Sequence, residues 1–177
     1  MSETIGIIGL GRMGMEAAIK YIDEGYKVFG YARRPEVIKE FTATGGIAVK
    51  NSREVAEKSG KVIVYVLNDQ QVIDVVTGPD GILEGCHKDT RVICMSTIDK
   101  DNLEWLAEKC AERKVGFVDC PVTGGPARVI TSIMAARVVA TRSWLQCLTA
   151  CANPGFSPMK VIFPCTSRTG RHSSRRS

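Results

Sequence analysis

The chain begins, after three residues, with TIGIIGLGRMGMEAAIKYI: a β-branched run, three glycines, then residues at helical spacing. No other feature of the sequence constrains the fold as strongly. Thr4–Ile8 has the composition of a buried strand. Gly9, Gly11 and Gly14 stand at the spacing G-x-G-x-x-G, with Leu10, Arg12 and Met13 between them. Met13–Glu24 then carries Met13, Ala17, Ala18 and Ile22 on one helical face. A strand that turns sharply into a helix uses the first glycine for the turn. The second leaves room for a close backbone approach, and the third lets helix and strand touch. The helix start offers free N–H groups and a partial positive charge to an anion. The spacing alone is weak, because a plain βα turn with packing glycines matches it too. Its position between a first strand and the helix it opens is the context of a dinucleotide-binding turn.

The remainder of residues 1–125 alternates between the two periodicities. Strands are expected at Lys27–Tyr31, Lys61–Leu67, Arg91–Met95 and Val115–Cys120. Helices are expected at Pro35–Thr42, at Arg53–Lys58 capped by Ser52, and at Gln70–Val76 capped by Asp69. A longer helix over Asp99–Lys114 turns Leu103, Leu106 and Cys110 inward. KVIVYVL is almost continuously apolar, as a strand buried on both faces must be. This alternation implies the α/β class: a doubly wound parallel sheet of Rossmann type with helices on both faces.

Beyond Gly125 the pattern fades into an irregular basic tail. A short helix at Ser143–Ala152 and a strand at Lys160–Phe163 are the elements expected there, and SRTGRHSSRRS reads as disordered. All 19 acidic residues precede position 120. Residues 1–125 hold 16 Lys plus Arg against those 19 acids, a net −3, whereas 126–177 hold eight basic residues and no acid, a net +8. Two domains are therefore expected: 1–125, a dinucleotide-binding unit, and 126–177, an atypical, poorly ordered segment. The seven cysteines lack CxxC pairs and His partners, so neither zinc nor disulfides are expected, and Cys94 and Cys120 read as small core residues. No run approaches the length of a membrane span. MSETIGIIG lacks the marks of a secretory signal or transit peptide, so the sequence reads as cytoplasmic.

Coenzyme choice rests on the end of the second strand. Folds that hold NAD place an acidic residue there for the ribose 2′-hydroxyl. Here the chain reads Tyr31-Ala32-Arg33-Arg34-Pro35, without a carboxylate. Two guanidiniums suit a 2′-phosphate, so NADP is expected over NAD, against the alternative of two solvated surface arginines.

With these motifs in order, residues 4–125 resemble the N-terminal coenzyme domain of the β-hydroxyacid dehydrogenase family. That group includes 3-hydroxyisobutyrate, tartronate semialdehyde and 6-phosphogluconate dehydrogenases, with the related glyoxylate and succinic semialdehyde reductases. IGIIGLGRMG resembles the family's glycine-rich opening. YARRPE resembles its Asn-Arg-Thr segment, with Ala32 in place of asparagine. VLND resembles Met-Leu-Pro, with Asn68 for proline, which puts Val66, Leu67 and Asn68 beside the coenzyme. MSTIDKDN resembles the Ser-Thr-Ile-Ser-Pro turn, which puts Ser96 and Thr97 at the nicotinamide end. FVDCPVTGG resembles the substrate motif Asp-Ala-Pro-Val-Ser-Gly-Gly, which makes Thr123, Gly124 and Gly125 candidates for a substrate carboxylate. A simple β-turn is the alternative at those three residues.

The resemblance implies an oxidoreductase acting on the hydroxyl of a small hydroxyacid, or in reverse on a semialdehyde. It also implies a catalytic lysine on a helix of a second, all-helical domain that supplies the dimer contacts. No segment here matches that lysine's surroundings. Lys160, in SPMKVIFP, is the one lysine past Lys114 and does not fit, so no catalytic residue is assigned. The coenzyme half of a dehydrogenase, truncated before its catalytic domain, is therefore the first reading. The second is a non-catalytic dinucleotide-binding module whose basic tail contacts an acidic partner; nucleic acid is poorly supported because the arginines cluster at the end with little aromatic interleaving. Family-like sequence is expected to fade between Gly125 and Ala136, with ITSIMAA its last trace, as a shifted reading frame, a retained intron or an aberrant splice would cause. A genuine basic extension is the alternative. Limited proteolysis is expected to trim the chain to a core ending near residues 125–140, because flexible segments are cut first. A tail as resistant as the core would overturn that expectation.

Overall fold

The computed structural model describes residues 3–88, 90–121 and 160–162. Strands and helices alternate: β1 (Thr4–Ile8), α1 (Arg12–Asp23), β2 (Lys27–Tyr31), α2 (Pro35–Ala43), β3 (Ile47–Ala48), α3 (Ser52–Lys58) and β4 (Lys61–Val64). There follow α4 (Asp69–Thr77), α5 (Ile82–Gly85), β5 (Arg91–Cys94), α6 (Lys100–Glu112), β6 (Gly116–Asp119) and β7 (Lys160–Ile162). The strand order is β3-β2-β1-β4-β5-β6-β7. The first six strands are parallel, and β7 runs antiparallel to β6, pairing Phe117 with Ile162 and Asp119 with Lys160. The expected Rossmann-type sheet is thus present. The expected KVIF strand forms over its first three residues. The rest of the 126–177 segment, the Ser143–Ala152 helix included, lies outside the described residues.

The sheet separates two apolar layers, and strand periodicity assigns side chains to them. Ile8, Val62, Val64, Val92, Cys94 and Phe117 face α3, α4, α5 and α6. Ile5, Ile7, Val28, Ile63, Ile93 and Val118 face the opposite way, with α1 and α2 packed on that layer. Each fully buried aliphatic side chain contributes roughly 1.5–3 kcal/mol, so the two layers are what hold the helices on. The inward face expected for α6 is the one found, with Leu103, Leu106 and Cys110 all buried. Ala17 and Ala18 of α1 are buried as expected, joined by Met15 and Tyr21, while Met13 and Ile22 are partly buried. Cys94 is fully buried, whereas Cys120 packs only partly against the second layer. Burial pushes the Cys94 and Cys110 thiols up to about 12, so they behave as core groups.

Three expectations are corrected. The strand expected to reach Leu67 ends at Val64, because the chain must leave the sheet to reach α4. Asn51, not Ser52, caps α3: its Oδ1 accepts the Glu54 N–H at 2.9 Å, and the Glu54 carboxylate in turn accepts the Lys50 N–H at 2.9 Å. Ser52 lies buried inside the helix. Likewise Asn68, not Asp69, caps α4 by accepting the Gln71 N–H at 3.0 Å. In each pair the first of two cap-competent residues keeps the extended backbone from which its oxygen reaches back to the helix. Two short elements, β3 and α5, have no counterpart in the sequence reading.

The packing of α3 on β1 is close enough to require a missing side chain. A Cβ on Gly6 would collide with the Ser59 hydroxyl and a Val55 methyl. That hydroxyl is already committed to the Val55 carbonyl at 2.6 Å. Gly6→Val is therefore expected to destabilise the domain by about 1–3 kcal/mol, despite valine's preference for strands. Urea unfolding measures this, and an unchanged or raised midpoint would show that α3 can shift without cost.

Candidate functional site

Strand order reverses between β1 and β4, and the two crossovers leave in opposite directions there. In such sheets a crevice opens beyond the carboxyl ends of the strands. A cleft of about 730 Å³ occupies that position, within the size range of small-molecule sites. Its walls come from the turn after β1, the segment after β2, the start of α3 and the segment from β4 into α4.

The turn after β1 is built by contacts that exclude side chains. Gly9 has φ +90°, and a Cβ there would run into the Tyr65 carbonyl. Its N–H donates to the Tyr31 carbonyl at 3.1 Å, which ties the turn to the end of β2. A Cβ on Gly14 would strike the Gly9 carbonyl, so α1 sits directly on the turn. A Cβ on Gly11 would meet nothing within 4 Å. Gly11 is the N-cap of α1, and no side chain caps that helix end. Its face toward the cleft is therefore open for a phosphate to reach backbone N–H groups. This arrangement fits a dinucleotide pyrophosphate.

Of the coenzyme residues expected from the sequence, the cleft brings together Gly9, Leu10, Gly11, Arg12, Ala32, Arg33, Arg34, Val66 and Leu67. Met13, Gly14, Asn68, Ser96 and Thr97 do not line it. Thr123, Gly124 and Gly125 lie outside the described residues. Arg33 and Arg34 are exposed at the end of β2. Arg34 lies 3.8 Å from Glu36, both side chains being about two-thirds exposed, a pairing that contributes little. No carboxylate stands at the β2 end, where Ala32 occupies the first position after the strand.

Ser96 has a different task from direct contact. It is buried, and its hydroxyl donates to the Val66 carbonyl at 2.7 Å while accepting the Val66 N–H at 3.0 Å. One side chain thus completes both backbone groups of a residue that has left the sheet. Asn68, as described, is consumed in capping α4. Leu67 is 89% exposed, an unusual position for leucine, and it stands at the cleft's edge.

Sequence reasoning missed the far wall. Gln71, Asp74 and Val75 line the cleft from one face of α4, at i, i+3 and i+4. Lys50, Asn51 and Ser52 follow the unrecognised β3, and Pro79 and Asp80 close that side. The helical spacing from Gln71 was a usable signal, since the opposite face holds the buried Val72 and Val76. Among the described residues no group of His, Cys, Asp and Glu is placed to hold a metal.

Residues 4–153 match the model of the NAD binding domain of 6-phosphogluconate dehydrogenase. The chain belongs to this family. The match continues past Ala136, where motif-by-motif resemblance was expected to fade. L-threonate dehydrogenase of Cupriavidus necator is 33% identical over 134 residues, covering 76% of this chain and 45% of that protein. Mitochondrial 3-hydroxyisobutyrate dehydrogenase of Mus musculus is 35% identical over 121 residues, covering 68% and 36%. A crystal structure of 3-hydroxyisobutyrate dehydrogenase from Salmonella typhimurium superposes with a TM-score of 0.67 at 28% identity, over 72% of this chain and 44% of that one. The chain spans less than half the length of these relatives. As a domain of this NAD-binding family, it has in its cleft the NAD(P) site. No helix among the described residues is long and apolar enough to cross a membrane.

In this NAD-binding domain the Ser96 staple carries a stability consequence. Ser96→Ala leaves both polar groups of Val66 without that partner and is expected to cost about 1–3 kcal/mol. Ser96→Thr, which keeps the hydroxyl, is expected to lose less. Equal unfolding midpoints for the alanine variant and the original chain would show that solvent replaces the hydroxyl without loss.

Proposed function

We propose that this chain binds NADP in preference to NAD and is the coenzyme-binding part of an oxidoreductase acting on the hydroxyl of a small hydroxyacid, or in reverse on a semialdehyde. The observation that carries the coenzyme preference is the β2 end: two exposed arginines on the cleft and no carboxylate. A carboxylate there would accept the ribose 2′-hydroxyl and repel a 2′-phosphate, whereas guanidiniums donate to the phosphate through charge-assisted bonds. Gly9, Gly11 and the open start of α1 hold the pyrophosphate. Val66 and Leu67, with Ser96 and Thr97 behind them, frame the nicotinamide end. The bound nicotinamide supplies or accepts the hydride. Support for the substrate class comes from the related hydroxyacid dehydrogenases. On this reading Thr123, Gly124 and Gly125 hold the substrate carboxylate through a hydroxyl and two backbone N–H groups.

Hydride transfer at a hydroxyl carbon also needs a proton acceptor. The sequence holds no match to the family's lysine segment, so on this reading the chain alone binds coenzyme without appreciable turnover and works in the cytoplasm. Fluorescence titration is the test. NADPH is expected to bind more tightly than NADH, and Arg33→Asp is expected to weaken NADPH by about 1.5–3 kcal/mol while sparing NADH. Equal affinity of the unmodified chain for the two coenzymes would overturn the preference.

A further inference from the structure

Two loops run side by side at the carboxyl ends of β4 and β5, and two cross-links join them. The first is the Ser96 hydroxyl on both backbone groups of Val66. The second is made by Asp69, the first residue of α4. Its Oδ2 accepts the Asp99 N–H at 2.9 Å and the Asn102 side-chain Nδ2–H at 2.7 Å. Asp99 is the N-cap residue of α6 and makes no side-chain cap bond of its own. The cap of α6 is thus supplied from another helix. These bonds hold the Asp69 carboxyl below the usual carboxylate range, the Asn102 bond contributing most and the Asp99 N–H next.

Between the two cross-links lie one exposed residue on each loop, Leu67 and Thr97. The frame is closed at one end by Ser96 and Val66 and at the other by Asp69 with Asp99 and Asn102. We propose that Asp69 is a positioning residue for coenzyme binding, its carboxylate fixing the spacing of the Leu67 and Thr97 loops where the nicotinamide half must lie. This rests on the reading of the cleft as a dinucleotide site. Asp69 itself does not line the cleft, so it acts through the loops. The adenosine half lies against Arg33, Arg34 and the α3 start, on walls that Asp69 does not touch.

That separation makes the inference testable on the full 177-residue chain by calorimetric titration. NADPH and NADH serve as whole coenzymes; adenosine 2′,5′-bisphosphate and ADP serve as fragments lacking nicotinamide. Asp69→Ala is expected to weaken the preferred coenzyme roughly tenfold, the equivalent of one charge-assisted hydrogen bond. Its fragment should stay within about twofold, since nothing on the adenosine side has changed. Asp69→Asn keeps an oxygen acceptor at the same place and should restore most of the loss. Asn102→Ala removes one of the two bonds and should fall between. If Asp69→Ala does not fold, the asparagine and Asn102 variants decide the matter. Equal weakening of coenzyme and fragment, no weakening in Asn102→Ala, or no rescue by asparagine would each overturn the role of Asp69. An unmodified chain that binds none of the four probes would instead overturn the dinucleotide reading, and this inference with it.

Discussion

The close approach of three backbone segments at Gly9 is the constraint on which the remainder depends. There the turn after β1 passes so near the Tyr65 carbonyl that no side chain fits, and α1 comes down on the turn so tightly that Gly14 cannot carry one either. The consequences run outward in both directions. Inward, the contact sets the height at which α1 lays Met15, Ala17, Ala18 and Tyr21 on the second apolar layer. Outward, it holds the start of α1 at the mouth of the crevice with its leading backbone uncapped by any side chain. A single steric requirement therefore specifies both a piece of core packing and the anion-facing surface of the cleft.

The two walls of that cleft are held by different physics. On the β2 side the arginines are exposed and weakly engaged. On the β4 and β5 side, nearly every polar side chain is committed to backbone. Ser96 serves Val66, Asn68 serves Gln71, and Asp69 serves Asp99 and Asn102. Buried or half-buried loop backbone cannot remain unbonded cheaply, so loops that leave a sheet at a binding crevice recruit neighbouring side chains to finish them. Residues that stand next to a ligand in the sequence pattern can for this reason be structural in the folded chain.

What the sequence disclosed follows the range over which each signal acts. The β1-turn-α1 unit was legible because strand period, glycine spacing and helix period all fall within about 20 contiguous residues. The parallel order of the main strands followed from alternation alone. β3 and α5, with two and four residues, are shorter than any window in which a period can be recognised. Both cap assignments erred by one residue for a local reason: Asn51-Ser52 and Asn68-Asp69 each offer two oxygen-bearing neighbours, and only the folded backbone distinguishes them. The far wall of the cleft was hidden because Lys50, Gln71 and Asp80 meet through the sheet and not along the chain. The Asp69 bridge to α6 is of the same kind, spanning 30 residues to Asp99.

The segment after β2 differs from the glycine turn in how freely it can vary. Arg33 and Arg34 are exposed, and the structural duty of Arg34, the N-cap of α2, falls on its backbone carbonyl, which accepts the Ile38 N–H at 3.2 Å. Substitution at such positions ordinarily changes stability by no more than about 0.5 kcal/mol. The glycines opposite them admit almost no replacement. The fold thus separates the part of the site that any dinucleotide requires from the part that reads its ribose. Selection can rewrite the second without disturbing the first, and recognition can drift between coenzymes across a lineage while the architecture stays put.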